Sequence, residues 1–268
     1  MSSQNQTPIM QHEARGNGEP LVLLPGGLTG WLSWIPHSEA LAESRKVIRL
    51  QLKHVELGLA GTPLPPDYSM DYEAVALGNT LDYLKITQAD FAAWSNGGQV
   101  ALNYAIYHPE RVRSLTLIEP NAYWVLHSRG PYPQALLDEI GFIRTLATDD
   151  VSEEQLISFL RAVRIAPPDV DPHTMPPWES WYKHRQSLRI GDIPLTHEDD
   201  IDLVRAFDKP VLLVKGEGSS PFLHSIIDVL AEELPNRDVV TFPAGHAPHL
   251  VSMQPFMERF MQFLSEQN

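Results

Sequence analysis

The sequence predicts an α/β fold built on a mostly parallel sheet, and three observations carry that prediction. Short apolar runs at 21–24, 46–52, 91–94, 112–118, 210–215 and 239–242 have the length and composition of strands buried on both faces. Segments with helical spacing fall between them, so strands and helices alternate along the chain. From 121 to 207 the strand pattern disappears, giving way to helical segments at 134–145 and 152–163 and a proline-rich stretch at 167–177. The expected division is a core of residues 1–120 and 208–268 and a helical cap of residues 121–207.

At 268 residues and 43% hydrophobic content the chain is long enough to bury one large core with an inserted subdomain. It contains no cysteine, which excludes disulfides, thiolate metal sites and a cysteine nucleophile, and leaves Ser, Asp, Glu and His to carry the chemistry. A formal charge of −14 argues against nucleic acid or an anionic membrane as partner. Residues 1–18 are polar, with no apolar stretch of the kind a secretory signal needs, and no run approaches a membrane span. The expectation is a soluble cytoplasmic protein.

In chain order, residues 8–14 are expected as an edge strand ended by Gly16-Asn17-Gly18. The strand at 21–24 runs into Pro25-Gly26-Gly27-Leu28-Thr29-Gly30, a glycine-rich loop before helical residues 34–41. After the strand at 46–52, residues 54–66 read as a long connection with Gly58, Gly61 and three prolines, in which His54 could approach the mouth of the site but, as a lone loop histidine, is expected to be solvated. Residues 72–84 place Ala74, Leu77, Leu81 and Leu84 on one helical face. Then Phe91 to Trp94 meets Ser95, and Val100, Ala101, Tyr104 and Ala105 repeat at helical spacing. A serine at that change of period sits in a turn tight enough to force φ > 0, so the residues two before and two after it must be small. They are Ala93 and Gly97. His108-Pro109-Glu110-Arg111 stops the helix, and the strand at 112–118 ends at Glu119-Pro120. Glu119 thus stands at the carboxyl end of a parallel strand, where ligands bind in open sheets. In the cap, Trp124, Met175, Trp178, Trp181 and Tyr182 supply apolar surface, either as a lid over a pocket or as packing onto the core. After the strand at 210–215 and a helix at 221–234, the last strand leads to Pro243-Ala244-Gly245-His246-Ala247-Pro248-His249 and a helix at 255–264.

Ala93-Trp94-Ser95-Asn96-Gly97-Gly98 resembles the nucleophile elbow, G-x-S-x-G, of the α/β-hydrolase superfamily, with alanine for the first glycine. The resemblance implies a doubly wound sheet of that type, with the cap inserted after the strand ending near Glu119. It assigns Ser95 as nucleophile, backbone donors at Gly27 or Leu28 and at Asn96 as the oxyanion hole, and His246 as general base, with His249 orienting or exposed. This chain departs from the pattern at three places. Pro25-Gly26 stands where most relatives carry His-Gly, and Gln51-Leu52-Lys53-His54-Val55-Glu56-Leu57-Gly58 replaces an Asp-x-x-Gly-x-Gly-x-Ser turn. Gly216-Glu217-Gly218-Ser219 stands where relatives read Gly-x-x-Asp, so the usual acid is missing. Some members take it from the strand after the elbow helix, which points to Glu119 here. Glu217, a cap acid such as Asp192, or no acid at all are the alternatives. Trp94, Trp124, Trp178 and Trp181 are expected to contact substrate.

The expected activity is that of a serine hydrolase acting on a small carboxylic ester or lactone. No cofactor is implied, and no metal, since His246-Ala247-Pro248-His249 is broken by proline and no H-x-x-x-H helical pair occurs. Alternatives on the same fold are carbon–carbon bond hydrolysis, cofactor-free peroxidation, or a ligand-binding or signalling protein with little turnover. Oligomeric state is not legible.

Overall fold

The computed structural model describes residues 8–148 and 150–267; the polar residues 1–7 lie outside them. Strands β1 (His12–Arg15), β2 (Pro20–Leu24), β3 (Lys46–Leu50), β4 (Ala89–Trp94), β5 (Val112–Ile118), β6 (Val211–Gly216) and β7 (Arg237–Phe242) form one sheet in the order β1-β3-β2-β4-β5-β6-β7. Only β1 runs antiparallel, against β3; every other neighbouring pair is parallel.

The strands are apolar on both faces because both faces are covered. Leu21, Leu23, Val47, Ala92, Trp94, Leu212 and Val214 pack with Trp34 and Leu41, and with Phe256, Phe260 and Phe263 from helix Met253–Ser265. The alternate residues Val22, Leu24, Ile48, Phe91, Ala93, Leu115 and Leu213 face α3 (Met70–Tyr83) and α4 (Asn96–Tyr107) and helix Pro221–Glu233. Each Val, Leu, Ile or Phe among them, fully withdrawn from water, contributes on the order of 1.5–3 kcal/mol, which fixes the register, since a one-residue slip would swap the two faces. Helix α1 (Ile35–Ala42) follows a short 3-10 turn.

Between β5 and β6 the chain forms short helical pieces, among them Gln134–Ile140, Glu153–Ala162, Trp178–His184 and Ile193–Thr196. Ser152 and Gln155 make a reciprocal capping box on the second of these. Their own cluster, Leu146, Val151, Leu156, Leu160, Trp181 and Leu188, closes over Leu28 of the glycine-rich loop. No helix among the described residues is long and apolar enough to cross a membrane.

Two expectations are corrected. The edge strand falls at His12–Arg15 rather than 8–14. The connection at 54–66 opens with a helix, α2 (Lys53–Leu59), and His54 is buried in it. This helix is seven residues long and contains Gly58, so its own propensity is low. It is held from outside by Glu73 of α3, whose carboxylate accepts from the backbone N–H groups of Lys53 and His54 at 2.9 Å each.

Candidate active site

Ser95 links β4 to α4 with φ 52° and ψ −119°, a conformation that L residues rarely adopt. Its N–H is tied to the Ile118 carbonyl at 2.9 Å, and Gly97 N–H donates to Pro25 O at 3.1 Å, which pins the turn to the glycine-rich loop. A Cβ at position 97 would lie 2.4 Å from that same carbonyl, so only glycine allows the approach.

Glu119 follows β5 with φ 45° and is fully buried. The Gly216 N–H donates to its Oε1 at 2.7 Å, and the Ser219 hydroxyl donates to Oε2. Oε2 also faces His246 Nδ1 at 3.1 Å, while His246 Nε2 lies 2.9 Å from Ser95 Oγ. A carboxylate can only accept, so Nδ1 carries its proton toward Glu119 and the Nε2 lone pair is left for the serine hydroxyl. The His246 carbonyl is fixed by Trp94 Nε1–H at 2.7 Å. The resemblance offers Ser95, Glu119 and His246 as a set, and the structure brings their side chains into one hydrogen-bonded chain. Glu217 is exposed and Asp192 lies in the insertion, and neither bonds His246.

Gly27, Ser95, Asn96 and Asn121 line a cavity of about 50 Å³ with Tyr123, Ile143, Leu146, Phe159 and Leu188. Larger clefts, of 510 Å³ beside Asn103 and Tyr107 and of 600 Å³ beside Pro131 and Tyr132, contain none of the Ser95 group. Leu28 is buried beneath the insertion.

None of the four tryptophans expected at substrate lines the Ser95 cavity. Trp94 sits beside His246, its ring 5.6 Å from the imidazole, in the cluster that packs against helix Met253–Ser265. Trp124 is buried against the core and Trp181 inside the insertion's cluster. Trp178 is half-buried, its ring 4.2 Å from that of His173 and tilted against it.

His249 is neither orienting nor exposed. It is fully buried among Trp34, Trp94, His37 and Phe256, and neither ring nitrogen has a partner among the described residues.

A second histidine–carboxylate pair escaped the sequence reading. Glu73 is fully buried, and its Oε1 faces His54 Nδ1 at 3.0 Å and accepts from the Tyr68 hydroxyl at 2.8 Å. Burial alone would push the Glu73 carboxyl up, but its bond to His54, the imidazole charge and the two backbone N–H groups outweigh it and hold the carboxyl below its usual range. The signal available in the sequence was a lone glutamate among the residues of α3 that face inward.

The model of the family described as alpha/beta hydrolase fold matches residues 19–154. Over 152 residues the chain is 34% identical to a 2-hydroxymuconate semialdehyde hydrolase of a Pseudomonas species, an alignment spanning 52% of this chain and 53% of that protein. The chain thus spans about half the length of that relative. It is 27% identical over 263 residues to a pimeloyl-acyl-carrier-protein methyl ester esterase of Aeromonas hydrophila, covering 94% of this chain and 98% of the other. The crystal structure of a hydrolase from Pseudomonas aeruginosa superposes with a TM-score of 0.76 at 21% identity, over 95% of this chain and 94% of that one, a likeness of fold. With the strand order, the elbow and the family match in agreement, the chain belongs to the α/β-hydrolase family.

Proposed function

We propose that the protein is a serine hydrolase cleaving carboxylic esters or lactones through an acyl-enzyme on Ser95. The observation that carries this reading is the unbroken path from Ser95 Oγ through the His246 ring to Glu119, at 2.9 and 3.1 Å. Ser95 Oγ attacks the acyl carbon as its proton passes to His246 Nε2, and the carbonyl oxygen becomes an oxyanion. Backbone donors at Gly27 or Leu28 and at Asn96 receive that charge. When the intermediate collapses, the C–O bond breaks and the alkoxide takes the proton from His246; in a lactone it stays tethered as a hydroxyl. Water, deprotonated at Nε2, then attacks the acyl carbon, and Ser95 leaves with the proton restored. Glu119 keeps Nδ1 as the donor and stabilises the imidazolium throughout.

The cavity favours a short apolar group on the substrate, since Tyr123, Ile143, Leu146, Phe159 and Leu188 offer it little but hydrocarbon and ring. The methyl ester in the name of the esterase relative fits that size. The other relative, named for a semialdehyde substrate, supports a second reading in which the same residues hydrolyse a carbon–carbon bond next to a carbonyl.

The experiment is incubation with a fluorophosphonate and mass analysis of the Ser95 peptide, alongside turnover of p-nitrophenyl butyrate by the parent and Ser95→Ala. Labelling at Ser95, with turnover reduced to background in the variant and an unchanged melting temperature, supports the reading. Retained turnover in Ser95→Ala sinks it.

A further inference from the structure

Ser95 and Glu119 are placed by the sheet. Each directly follows a strand, β4 or β5, and the backbone N–H of each donates to a residue of the next strand, Ser95 to Ile118 O at 2.9 Å and Glu119 to Val214 O at 3.1 Å. His246 has no such support, because residues 243–247 belong neither to β7 nor to the helix Pro248–Val251. Its backbone N–H meets the Arg164 carbonyl of the insertion only at 3.4 Å, whereas its carbonyl accepts from Trp94 Nε1–H at 2.7 Å. The shorter bond is therefore the one that ties the His246 peptide to the sheet.

Trp94 is the last residue of β4, paired with Ile118 of β5, and it immediately precedes Ser95. Its indole does not line the Ser95 cavity. It lies against two loops instead. The ring centroid is 5.6 Å from that of His246 and 4.7 Å from that of His249. On its other contact, a Cβ at Gly26 would come within 2.8 Å of Trp94 Cε3 and 3.0 Å of Cζ3, so the six-membered ring packs directly on the glycine-rich loop, where any side chain would displace it.

We propose that Trp94 is a positioning residue that sets His246 and the glycine-rich loop against Ser95 from the strand that carries Ser95. A proton passes between Ser95 Oγ and His246 Nε2 only while the two stay within hydrogen-bond reach, and the backbone donors of the loop must meet the oxyanion in the same geometry. Nucleophile, base and loop lie far apart in the chain, and one indole fixed on β4 touches the other two. Its N–H holds the His246 peptide, and its six-membered ring carries Gly26. This accounts for two observations together: a buried indole N–H bonded to the backbone of the base, and a glycine at position 26 that leaves room for the ring and nothing more. Because the indole does not line the cavity, losing its bond slows the chemical step without weakening substrate binding.

The inference rests on the serine-hydrolase reading, and its test separates the two. β-(3-Benzothienyl)alanine placed at position 94 alone keeps the fused ring and has sulfur in place of the N–H. Trp94→Phe removes the donor and puts no atom in its place. Both are assayed beside the parent on p-nitrophenyl butyrate, and the His246 ring is followed with ¹⁵N-labelled histidine. The expected result for each is a fall in kcat of about 10–100-fold with KM within about threefold, since misplacement by about 1 Å costs about 10²-fold. The His246 Nδ1 resonance should shift with it, as the ring moves against Glu119. A kcat within about threefold of the parent in the benzothienylalanine protein overturns the proposal. So does a rise in KM at unchanged kcat, which would put the indole at the substrate, and so does a slow variant whose His246 resonances have not moved. A benzothienylalanine protein that fails to fold makes the bond a structural one and overturns the proposal as well. An active parent with equally active variants overturns this inference alone. A parent that turns over no ester and takes no fluorophosphonate overturns the serine-hydrolase reading with it.

Discussion

His246 and His249 stand three residues apart, are both buried, and differ in what their ring nitrogens touch. His246 has Glu119 on one nitrogen and Ser95 on the other. His249 has aromatic rings on its faces and an edge, and no partner for either nitrogen among the described residues. Desolvation drives the His249 pKa well below that of a free imidazole, helped by repulsion from His37 and His246. Burial therefore makes His249 a neutral filler of the space between Trp34 and Trp94, at the cost of two unsatisfied nitrogens. A base needs a partner that favours its charged form, and at this corner of the molecule only Glu119 supplies one.

The comparison can be broken first at that partner. Glu119→Gln gives His246 an amide that no longer favours the imidazolium, and turnover should fall by about 10⁴-fold, the loss seen when the orienting acid of a serine protease triad becomes an amide. The melting temperature should change far less than the rate. A Glu119→Gln variant as active as the parent would show that His246 does not depend on its carboxylate. A smaller effect is expected from restoring an acid where relatives carry it. Because the Ser219 hydroxyl already bonds Glu119, Ser219→Asp in the Glu119→Gln background brings a carboxylate toward Nδ1 and should recover about tenfold or more of the lost rate, within the span of that loss. No recovery would mean that position 219 cannot reach the ring.

The smallest effect belongs to His249. Unfolded histidine titrates near 6.5, and the folded value is lower, so the stability contributed by the neutral ring is complete above about 6.5 and is lost as pH falls below it. His37 shifts the same way, with burial as the main cause and the His249 carbonyl opposing it. His249→Phe removes one of the two protons that acid would force into this pocket. Its melting temperature should fall less than the parent's between pH 7 and pH 5, by a few degrees, since about 1 kcal/mol moves a domain of this size about 2–4 °C. The turnover at pH 7 should be unchanged. An equal acid sensitivity in parent and variant would show that His249 does not titrate with unfolding.

These differences also mark what could be read in the sequence. The sheet was legible because both of its faces are covered, which leaves continuous apolar runs such as that of β2 and the first four residues of β6. Gly97 beside Ser95, and glycine before His246, were legible because close backbone approach leaves no choice of residue. The absence of aspartate at position 219 turned attention to Glu119, and the serine standing there instead is a donor to that glutamate. What stayed hidden is tertiary. The seven-residue α2 forms only against Glu73, so neither the helix nor the His54 pair has a local signature. The aromatic cage of His249 joins Trp34, Trp94 and Phe256 from three separate elements. The four tryptophans mark apolar surface by composition, but composition does not say which way a ring turns, and here none faces the Ser95 cavity.

The position of Glu119 on β5 has one more consequence. Ser95 follows the first strand and Glu119 the second of a single strand–helix–strand unit, β4-α4-β5, whereas His246 arrives only after the inserted helices. Cutting the gene within the insertion would put Ser95 and Glu119 on one polypeptide and His246 on the other. Neither half could pass a proton alone, so ester turnover by the recombined halves would report their reassociation without a dye or a tag.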